Sequence, residues 1–428
     1  MGSVTDIIDE LAWRGLIALS TDLDALRAEL AKCPITYYCG FDPSAPSLHF
    51  GNLVQIVTLR RLQLAGNLPL ALVGGATGLI GDPRPTAERT LNSRETVEQW
   101  VANLRRQIEP LLDFDGRYAA RMVNNLDWTE GLSALDFLRE IGKHFRVNRM
   151  LAKDAVSARL QSDAGISYTE FSYQILQGMD FLELYRRYDC RLQTGGSDQW
   201  GNLTAGTDLI HKVTGDSVHL LATPLITDSA GAKIGKSTGG GNVWLDPSMT
   251  SPYAFYQYFI NVEDALVGQL LRILTFLDPE EILALEKETA QRPAARAGQR
   301  RLAEEVCSLV HGRAETEQAT AAAQALFGRG TLADLSAATL RSALVEAGLV
   351  LVRAPVPPAA ALFKEAGLAS SLNDARRTIA EGGAYVNNVR VTDPERHFAA
   401  EDLLHGRFLV LRKGKRTVAG VEVIPDAS

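Results

Sequence analysis

A parallel α/β domain, followed by a helical domain and a small α/β module, is the architecture that three features of this 428-residue chain predict. Its length exceeds what one hydrophobic core usually supports, so two or three domains are expected. Short apolar runs (Ile35 to Cys39, Leu68 to Val73, Met122 to Asn124, Arg191 to Thr194) alternate with longer helical patterns, the rhythm of a mainly parallel sheet with crossover helices. After about Thr250 these runs stop and amphipathic helical patterns take over.

Taken in order, residues 1–247 form the sheet-bearing domain. Within it Leu53 to Leu64 places Leu53, Ile56, Val57 and Leu64 on one helical face, and Gly66 ends the helix. Residues 248–329 form the helical domain, with amphipathic segments at Glu281 to Thr289, Arg300 to Val310 and Glu315 to Phe327. Residues 330–355 are expected to be a linker, running into the proline-rich Ala354-Pro355-Val356-Pro357-Pro358. Residues 356–428 form the last module: helices near Ala359 to Ala366 and Asn373 to Ala380, then Tyr385 to Val391, with a turn at Asn387-Asn388.

An apolar share of 46% and a charged share of 22% are those of an ordinary globular protein, which excludes a disordered chain. The longest nearly uncharged stretch, Leu68 to Gly81, is too short to cross a bilayer and is broken by glycines. The start of the chain lacks the basic and apolar segments of a secretory signal, so a cytoplasmic location and no membrane partner are expected. Cys33, Cys39, Cys190 and Cys307 are scattered without metal-ligand spacing, which predicts reduced thiols and no structural metal. A net charge of −7 argues against indiscriminate binding to nucleic acid; only the segment from Val356 onward, with ten Lys/Arg against nine Asp/Glu, is slightly basic.

Three constellations carry chemistry. Tyr38-Cys39-Gly40-Phe41-Asp42-Pro43-Ser44 leads into His49-Phe50-Gly51-Asn52 at a helix start. In open α/β sheets ligands collect beyond the carboxyl ends of the strands, and a helix N-terminus offers free N–H groups to phosphate. Lys233-Ile234-Gly235-Lys236-Ser237, set among glycines, suits a mobile clamp on a polyphosphate. Tyr173, Gln177 and Asp180 lie at i, i+4 and i+7 and share one helical face. Taken singly, each has a plain alternative: a coincidental match, a solvated loop and an exposed polar face.

The pairing of the HxGx and KxxKS patterns resembles the two signatures of class I aminoacyl-tRNA synthetases. Thr169-Glu170-Phe171-Ser172-Tyr173 through Asp180, Val73-Gly74-Gly75-Ala76-Thr77-Gly78-Leu79-Ile80-Gly81-Asp82-Pro83 and Gly195-Gly196-Ser197-Asp198-Gln199-Trp200-Gly201-Asn202 are similar to the bacterial tyrosine-specific branch of that family. The likeness runs from Trp13-Arg14-Gly15-Leu16 to the C-terminal module. It implies a Rossmann-like catalytic domain, a helical domain that helps bind the anticodon region, and a homodimer acting on L-tyrosine, ATP and tRNA. By residue, it implies that Tyr38 and Asp180 bind the phenolic hydroxyl, while Tyr173, Gln177 and Asp82 hold the α-ammonium group. Gln199 would lie near the carboxylate, Asp198 at the ATP ribose, and Asp42 near the ammonium and adenylate. The Cys39 or Gly40 amide would approach the nucleotide, with Gly51 and Asn52 beside the phosphates. Ser44, His49, Lys233 and Lys236 would bear on the departing pyrophosphate, with magnesium expected to bridge the phosphates.

The chemistry agrees, because a carboxylate is already a nucleophile at neutral pH. Attack on the α-phosphorus then needs positioning and positive charge rather than a general base. The tail resembles an S4-type RNA-binding module, with Arg376 and Arg377 early in a helix and Arg412-Lys413-Gly414-Lys415-Arg416 as a basic hairpin. Arg292, Arg296 and Arg300 also share a stripe, read as a solvated face. Three positions depart from the family pattern: Asn52 replaces the second histidine, Ile234 and Gly235 replace the middle of the lysine motif, and the loop from Pro83 to Arg89 is short and lacks a lysine. Two rivals are a tryptophan-specific relative and an RNA-modifying or RNA-binding protein. The first leaves Asp180 opposite Tyr38 without a purpose, the second leaves the paired phosphate motifs without one.

Overall fold

The computed structural model describes residues 6–83, 90–151, 153–161, 165–229, 231–235 and 241–425. The chain divides into two compact units, residues 1–249 with 263–287, and residues 250–262 with 288–428.

The first unit is built on a six-stranded sheet of order β1-β6-β5-β2-β3-β4, where β1 is Leu19–Ser20, β2 Thr36–Phe41, β3 Leu68–Val73, β4 Arg121–Asn124, β5 Cys190–Gly196 and β6 His219–Thr223. All neighbours are parallel except β1 against β6. Strand order reverses between β2 and β5: β2 leads through helix Phe50–Leu64 to β3 on one side, and β5 leads through helix Trp200–Thr214 to β6 on the other. Such a reversal opens a crevice at the carboxyl ends of the strands. Leu70, Leu72, Phe181, Leu182, Leu203 and Leu220, all nearly inaccessible, fill the core around the sheet and helix Tyr168–Tyr188.

Helix Phe50–Leu64 is more deeply buried than a single apolar stripe implies. Leu53, Val54, Ile56, Val57, Leu59 and Leu62 are all buried, whereas Leu64, expected on the core face, is 62% exposed. The helix is covered on a second side by helix Asp264–Leu274, which joins the first unit. Two buried arginines fix that attachment by capping the end of the incoming helix. Arg14 donates to the carbonyls of Arg272, Thr275 and Leu277 at 3.0–3.2 Å, and Arg61 donates to Thr275 and to Glu10. The expected helical domain of 248–329 is therefore divided between the two units, with 263–287 in the first.

In the second unit, helices Pro252–Ile260, Ala297–His311, Arg313–Ala325 and Ala337–Glu346 pack together, with Phe255, Phe259, Leu302, Val306 and Leu340 at their centre. The segment 330–355 is folded rather than a linker: it carries helix Ala337–Glu346 and strand β7, Leu349–Arg353. That strand pairs in parallel with Gly420–Ile424 of β11 (Thr417–Ile424) in a sheet of order β7-β11-β10-β8-β9, where β8 is Ala384–Val386, β9 Val389–Arg390 and β10 Phe408–Lys413. It is the edge strand, paired on its β11 side, and that ladder holds the run Leu349-Val350-Leu351-Val352 as a strand despite the prolines that follow. The β8–β9 turn is at Asn387-Asn388 as expected, both residues having positive φ, the two-residue hairpin geometry that asparagine tolerates.

Candidate active site

Beyond the carboxyl ends of β2 and β5 lies a cavity of about 760 Å³. Its lining brings together Tyr38, Cys39, Gly40, Asp42, Ser44, His49, Gly51, Asn52, Asp82, Tyr173, Gln177, Asp180, Asp198, Gln199 and Lys233, residues spread over nearly 200 positions of sequence. Every candidate for the amino acid or nucleotide is there except Lys236, which lies outside the described residues, as do Arg84 and Arg89.

At the floor, Asp180 is 2% exposed. Its Oδ2 accepts from Asn125 Nδ2 at 3.0 Å and its Oδ1 from Trp128 Nε1 at 2.9 Å. Burial pushes its carboxyl up to about 7, with these two donors partly offsetting the shift. Tyr38 stands against Phe181 at 5.2 Å between ring centroids, and its buried hydroxyl has no hydrogen-bond partner among the described residues. A buried polar atom left in this state costs about 1–3 kcal/mol. The polar stripe at Tyr173, Gln177 and Asp180 thus faces the cavity rather than solvent.

A second network fixes the wall. Asp42 accepts from Tyr173 Oη at 2.5 Å and from Thr77 Oγ1 at 2.7 Å. Thr77 Oγ1 accepts in turn from Asn125 Nδ2 at 3.0 Å, so Asn125 ties Asp180 to Asp42. Asp82 accepts from Gln199 Nε2 at 3.3 Å and from Asn202 Nδ2 at 3.1 Å. A Cβ on Gly74 would stand 2.2 Å from both Asp42 Oδ1 and Thr77 Oγ1, so glycine is required there by the carboxylate itself. At Gly40 a Cβ would meet only Leu72 at 3.7 Å, and the space beside this backbone stays open toward the cavity.

The helix entrance assigns Asn52 a local role. His49 is the N-cap of helix Phe50–Leu64; its Nδ1 accepts from the Gly51 amide at 3.0 Å, and Asn52 Oδ1 accepts from the His49 amide at 3.0 Å. This is a reciprocal capping box. Because Nδ1 is an acceptor, the ring proton resides on Nε2, which is left as the donor. Burial, and after it the Lys233 charge, holds the imidazole below its ordinary pKa, so it works as a neutral donor at physiological pH. Asn52→Ala is expected to destabilise the fold by about 1 kcal/mol through loss of this cap. Urea unfolding measures it, and an unchanged midpoint would remove the cap from the account.

Lys233 Nζ lies 3.1 Å from Asp198 Oδ2. Its loop is anchored by a bridge to Thr227 and by the amides of Ile234 and Val243, which donate to Ile226 and Gly235. Gly235 has φ of 101°, and a Cβ there would press on Phe50 at 3.1 Å; the glycine in the middle of the lysine motif is thereby accounted for. Ser44 is exposed at the turn after β2, its amide donating to Asp42 O at 2.8 Å.

Asn125, Trp128, Gln55 and Gln193 carry no mark in the sequence, and Thr77 sits in a quoted motif without a role of its own, yet the first two hold Asp180 and the other three line the cavity. The only sequence signal for the first pair is a Trp three residues after an Asn just past a predicted strand. Among the described residues no group of three or more His, Cys, Asp or Glu is placed to hold a metal ion.

In the second unit Arg376 pairs with Glu395 at 3.0 Å, Arg377 with Asp374 at 3.0 Å and Lys413 with Asp374 at 3.5 Å. Arg412 is half-buried, stacked on Tyr385 at 4.1 Å and donating to Gly414 O at 2.7 Å, so its first duty is to close the β10–β11 turn. Lys415 and Arg416 are exposed at that turn. Arg296 donates to Ile260 O at 2.8 Å and Arg292 pairs with Glu288 at 2.9 Å, in keeping with a surface role for that stripe.

Residues 30–328 match the family model described as tRNA synthetases class I (W and Y), and residues 358–419 match the tyrosine–tRNA ligase SYY-like C-terminal domain. The chain is 65% identical to a tyrosine–tRNA ligase of Streptomyces avermitilis, covering 98% of this chain and 99% of that protein. It is 55% identical to one of Corynebacterium glutamicum, over 98% and 100%. Among solved structures it resembles a C-terminally truncated mitochondrial tyrosyl-tRNA synthetase of Coccidioides posadasii, with 32% identity, a TM-score of 0.66, and coverage of 74% of this chain and 92% of that one. A tryptophanyl-tRNA synthetase of Encephalitozoon cuniculi, 14% identical over 78% of this chain and 89% of that one with a TM-score of 0.54, shares the fold.

Proposed function

The chain belongs to the class I tRNA synthetases of the tryptophan and tyrosine group, and we propose that the cavity beyond β2 and β5 is where it activates its amino acid. It is a tyrosine–tRNA ligase by activity: tyrosine and ATP form tyrosyl-adenylate and pyrophosphate, and the tyrosyl group passes to the 3′ end of tRNA.

The observation that best supports the site is the buried pair at the floor. Asp180, held by Asn125 and Trp128, and Tyr38, with an unpartnered hydroxyl, suit a ligand that ends in a phenol. An indole N–H could donate to Asp180 as that of Trp128 does, but it offers no acceptor and leaves the Tyr38 hydroxyl without a partner, which sets tyrosine above tryptophan. Tyr173, Gln177 and Asp82 receive the ammonium group, and Gln199, bonded to Asp82, stands by the carboxylate. With the carboxylate so placed, attack on the α-phosphorus is a matter of alignment. His49 Nε2–H at the N-terminus of helix Phe50–Leu64, Ser44 and Lys233 line the part of the cavity where charge builds on the pyrophosphate, and Lys236, outside the described residues, is assigned to the same clamp. Lys233 must then leave Asp198, freeing that carboxylate for the ribose. Cys39 and Gly40 offer backbone in the open space beside the nucleotide. Magnesium, when bound, would accompany the triphosphate and supply neutralisation of its charge.

The helices of the second unit, Pro252–Ile260, Ala297–His311 and Arg313–Ala325, are assigned to the anticodon region of the tRNA, and the tail, with Arg376, Arg377, Arg412, Lys413, Lys415 and Arg416, to its phosphates. A homodimer is favoured by the exposed Leu135, Leu138, Val147, Leu151, Leu160 and Tyr168, a concentration of apolar surface within one short stretch. No helix among the described residues is long and apolar enough to cross a membrane, and the cytoplasm, where tRNA is charged, is the proposed location.

Pyrophosphate exchange with each amino acid in turn tests this assignment. Tyrosine alone is expected to support exchange, and exchange with tryptophan instead would overturn it.

A further inference from the structure

The amides that open helix Phe50–Leu64 are already engaged. Phe50 N–H donates to the carbonyl of Val243 at 3.0 Å, Gly51 N–H to His49 Nδ1 at 3.0 Å, and Asn52 N–H to the carbonyl of His49 at 2.9 Å. The donor this helix end offers the cavity is therefore His49 Nε2–H, and its direction depends on what holds the ring. The bond at Nδ1 fixes one edge only. An imidazole held by a single hydrogen bond can rock about the bonded atom, which moves the nitrogen on the far side.

A second contact comes from Trp244. Its ring stands 6.2 Å from that of His49 between centroids, tilted by 59°, within the range of a stabilising aromatic pair. The backbone sets it there. His49 and Trp244 form an antiparallel bridge, flanked by Phe50 N–H on Val243 O and by Leu245 N–H donating to Leu48 O at 2.8 Å. Gln107 steadies the other strand of this bridge: its Oε1 accepts from the Leu48 amide at 2.9 Å and from Ser47 Oγ at 3.1 Å. Val243 N–H donates in turn to Gly235 O at 2.8 Å. Val243, 1% exposed, is thus tied through its amide to the lysine motif and through its carbonyl to the histidine motif. Trp244 follows it, half-buried, and does not line the cavity that His49 and Gly235 line.

We propose that Trp244 is a positioning residue for adenylate formation: its ring, set in register by Val243, holds the His49 imidazole with Nε2–H toward the departing pyrophosphate. This rests on the role given to His49 above. The test is a double-mutant cycle, with pre-steady-state formation of tyrosyl-adenylate measured in the full chain, Trp244→Leu, His49→Ala and the double variant. Trp244→Leu is expected to slow the step by about 2- to 12-fold, the worth of one aromatic pair, with tyrosine affinity held within about twofold. Trp244→Phe, which restores a ring, should recover most of the rate. In the His49→Ala background the same Trp244→Leu change should alter the rate by less than about 1.5-fold, because the group it positions is gone. Trp244→Met, which keeps more of the bulk, makes the same comparison if Trp244→Leu does not fold. Equal slowing in both backgrounds, or no slowing in either, would reject the proposal while His49 keeps its role. A rate untouched by His49→Ala alone would instead overturn the role of His49, and this proposal with it.

Discussion

Asp180→Ala is expected to lower kcat/KM for tyrosine by about 30- to 140-fold while leaving KM for ATP within about twofold. The magnitude follows from about 2 to 3 kcal/mol for a hydrogen bond to a charged group inside the protein, at tenfold per 1.4 kcal/mol. Trp128 Nε1 loses its acceptor, Asn125 Nδ2 keeps only Thr77, and the proposed contact to the substrate phenol goes with them. Selectivity should change with rate. In the unmodified site phenylalanine would leave the Tyr38 hydroxyl without a partner and Asp180 with only its two protein donors, and the variant should discriminate less between tyrosine and phenylalanine. A pH profile separates this role from simple damage. The ionised carboxylate is the form that accepts the phenolic proton, and burial has pushed Asp180 up to about 7. As pH falls below about 7 the group protonates, and kcat/KM for tyrosine should drop about tenfold per unit. The same shift has an opposite sign for stability: between about pH 4 and 7 the folded state holds a proton that the unfolded chain releases, so this group's contribution falls as pH rises through that window. Asp180→Ala should lose the acid limb of the kinetic profile. If it keeps the limb, or if activation is unchanged, Asp180 does not face the substrate.

What can be read from the sequence divides along physical lines. Groups that act through backbone and chain-local geometry are legible: the strand-turn-helix at Tyr38 to Asn52, the shared face of Tyr173, Gln177 and Asp180, the hairpin at Asn387-Asn388. Groups that act through space are not. Asn125 and Trp128 hold Asp180 from more than 50 positions away, and neither residue type announces a buried carboxylate as its partner. Asn52 reads from sequence as a weakened phosphate ligand, whereas its Oδ1 is occupied in capping the helix it begins. Leu64 satisfies the period of the helix yet is exposed at its last position, while a second helix packs on a further side that a single apolar stripe does not foretell. The same long-range effect turns an expected linker into strand β7, whose partner lies about 70 residues downstream. The six basic residues of the tail are visible as charge, but sequence does not tell that Arg412 is engaged by its own hairpin and by Tyr385.

Truncation should separate the two halves of the reaction, and the sheet decides where to cut. A cut in the proline-rich stretch after Arg353 would strand β7, five residues whose backbone pairs with Gly420–Ile424. A cut after Ala347 removes the strand with its sheet; it also takes Glu422 from Arg341, whose side chain is half exposed and is little affected by it. Tyrosine-dependent pyrophosphate exchange is expected to persist within about threefold, because the proposed contacts lie between Tyr38 and Lys236. Charging of tRNA should collapse. Every phosphate that a tail cation no longer neutralises lowers the log–log salt slope of binding by about 0.7 to 0.9, and two to four such phosphates weaken binding by about 20- to 400-fold at 0.15 M salt relative to a 1 M reference. Four of the six tail cations are already engaged within the protein, so the exposed pair at the hairpin should supply the first share. Lys415→Ala with Arg416→Ala in the full chain is accordingly expected to reduce the slope by about 1.4 to 1.8 with exchange unaltered. A slope unchanged in both proteins would assign the tail a role other than holding phosphate, and loss of exchange in the truncated protein would show that the tail supports the catalytic unit itself.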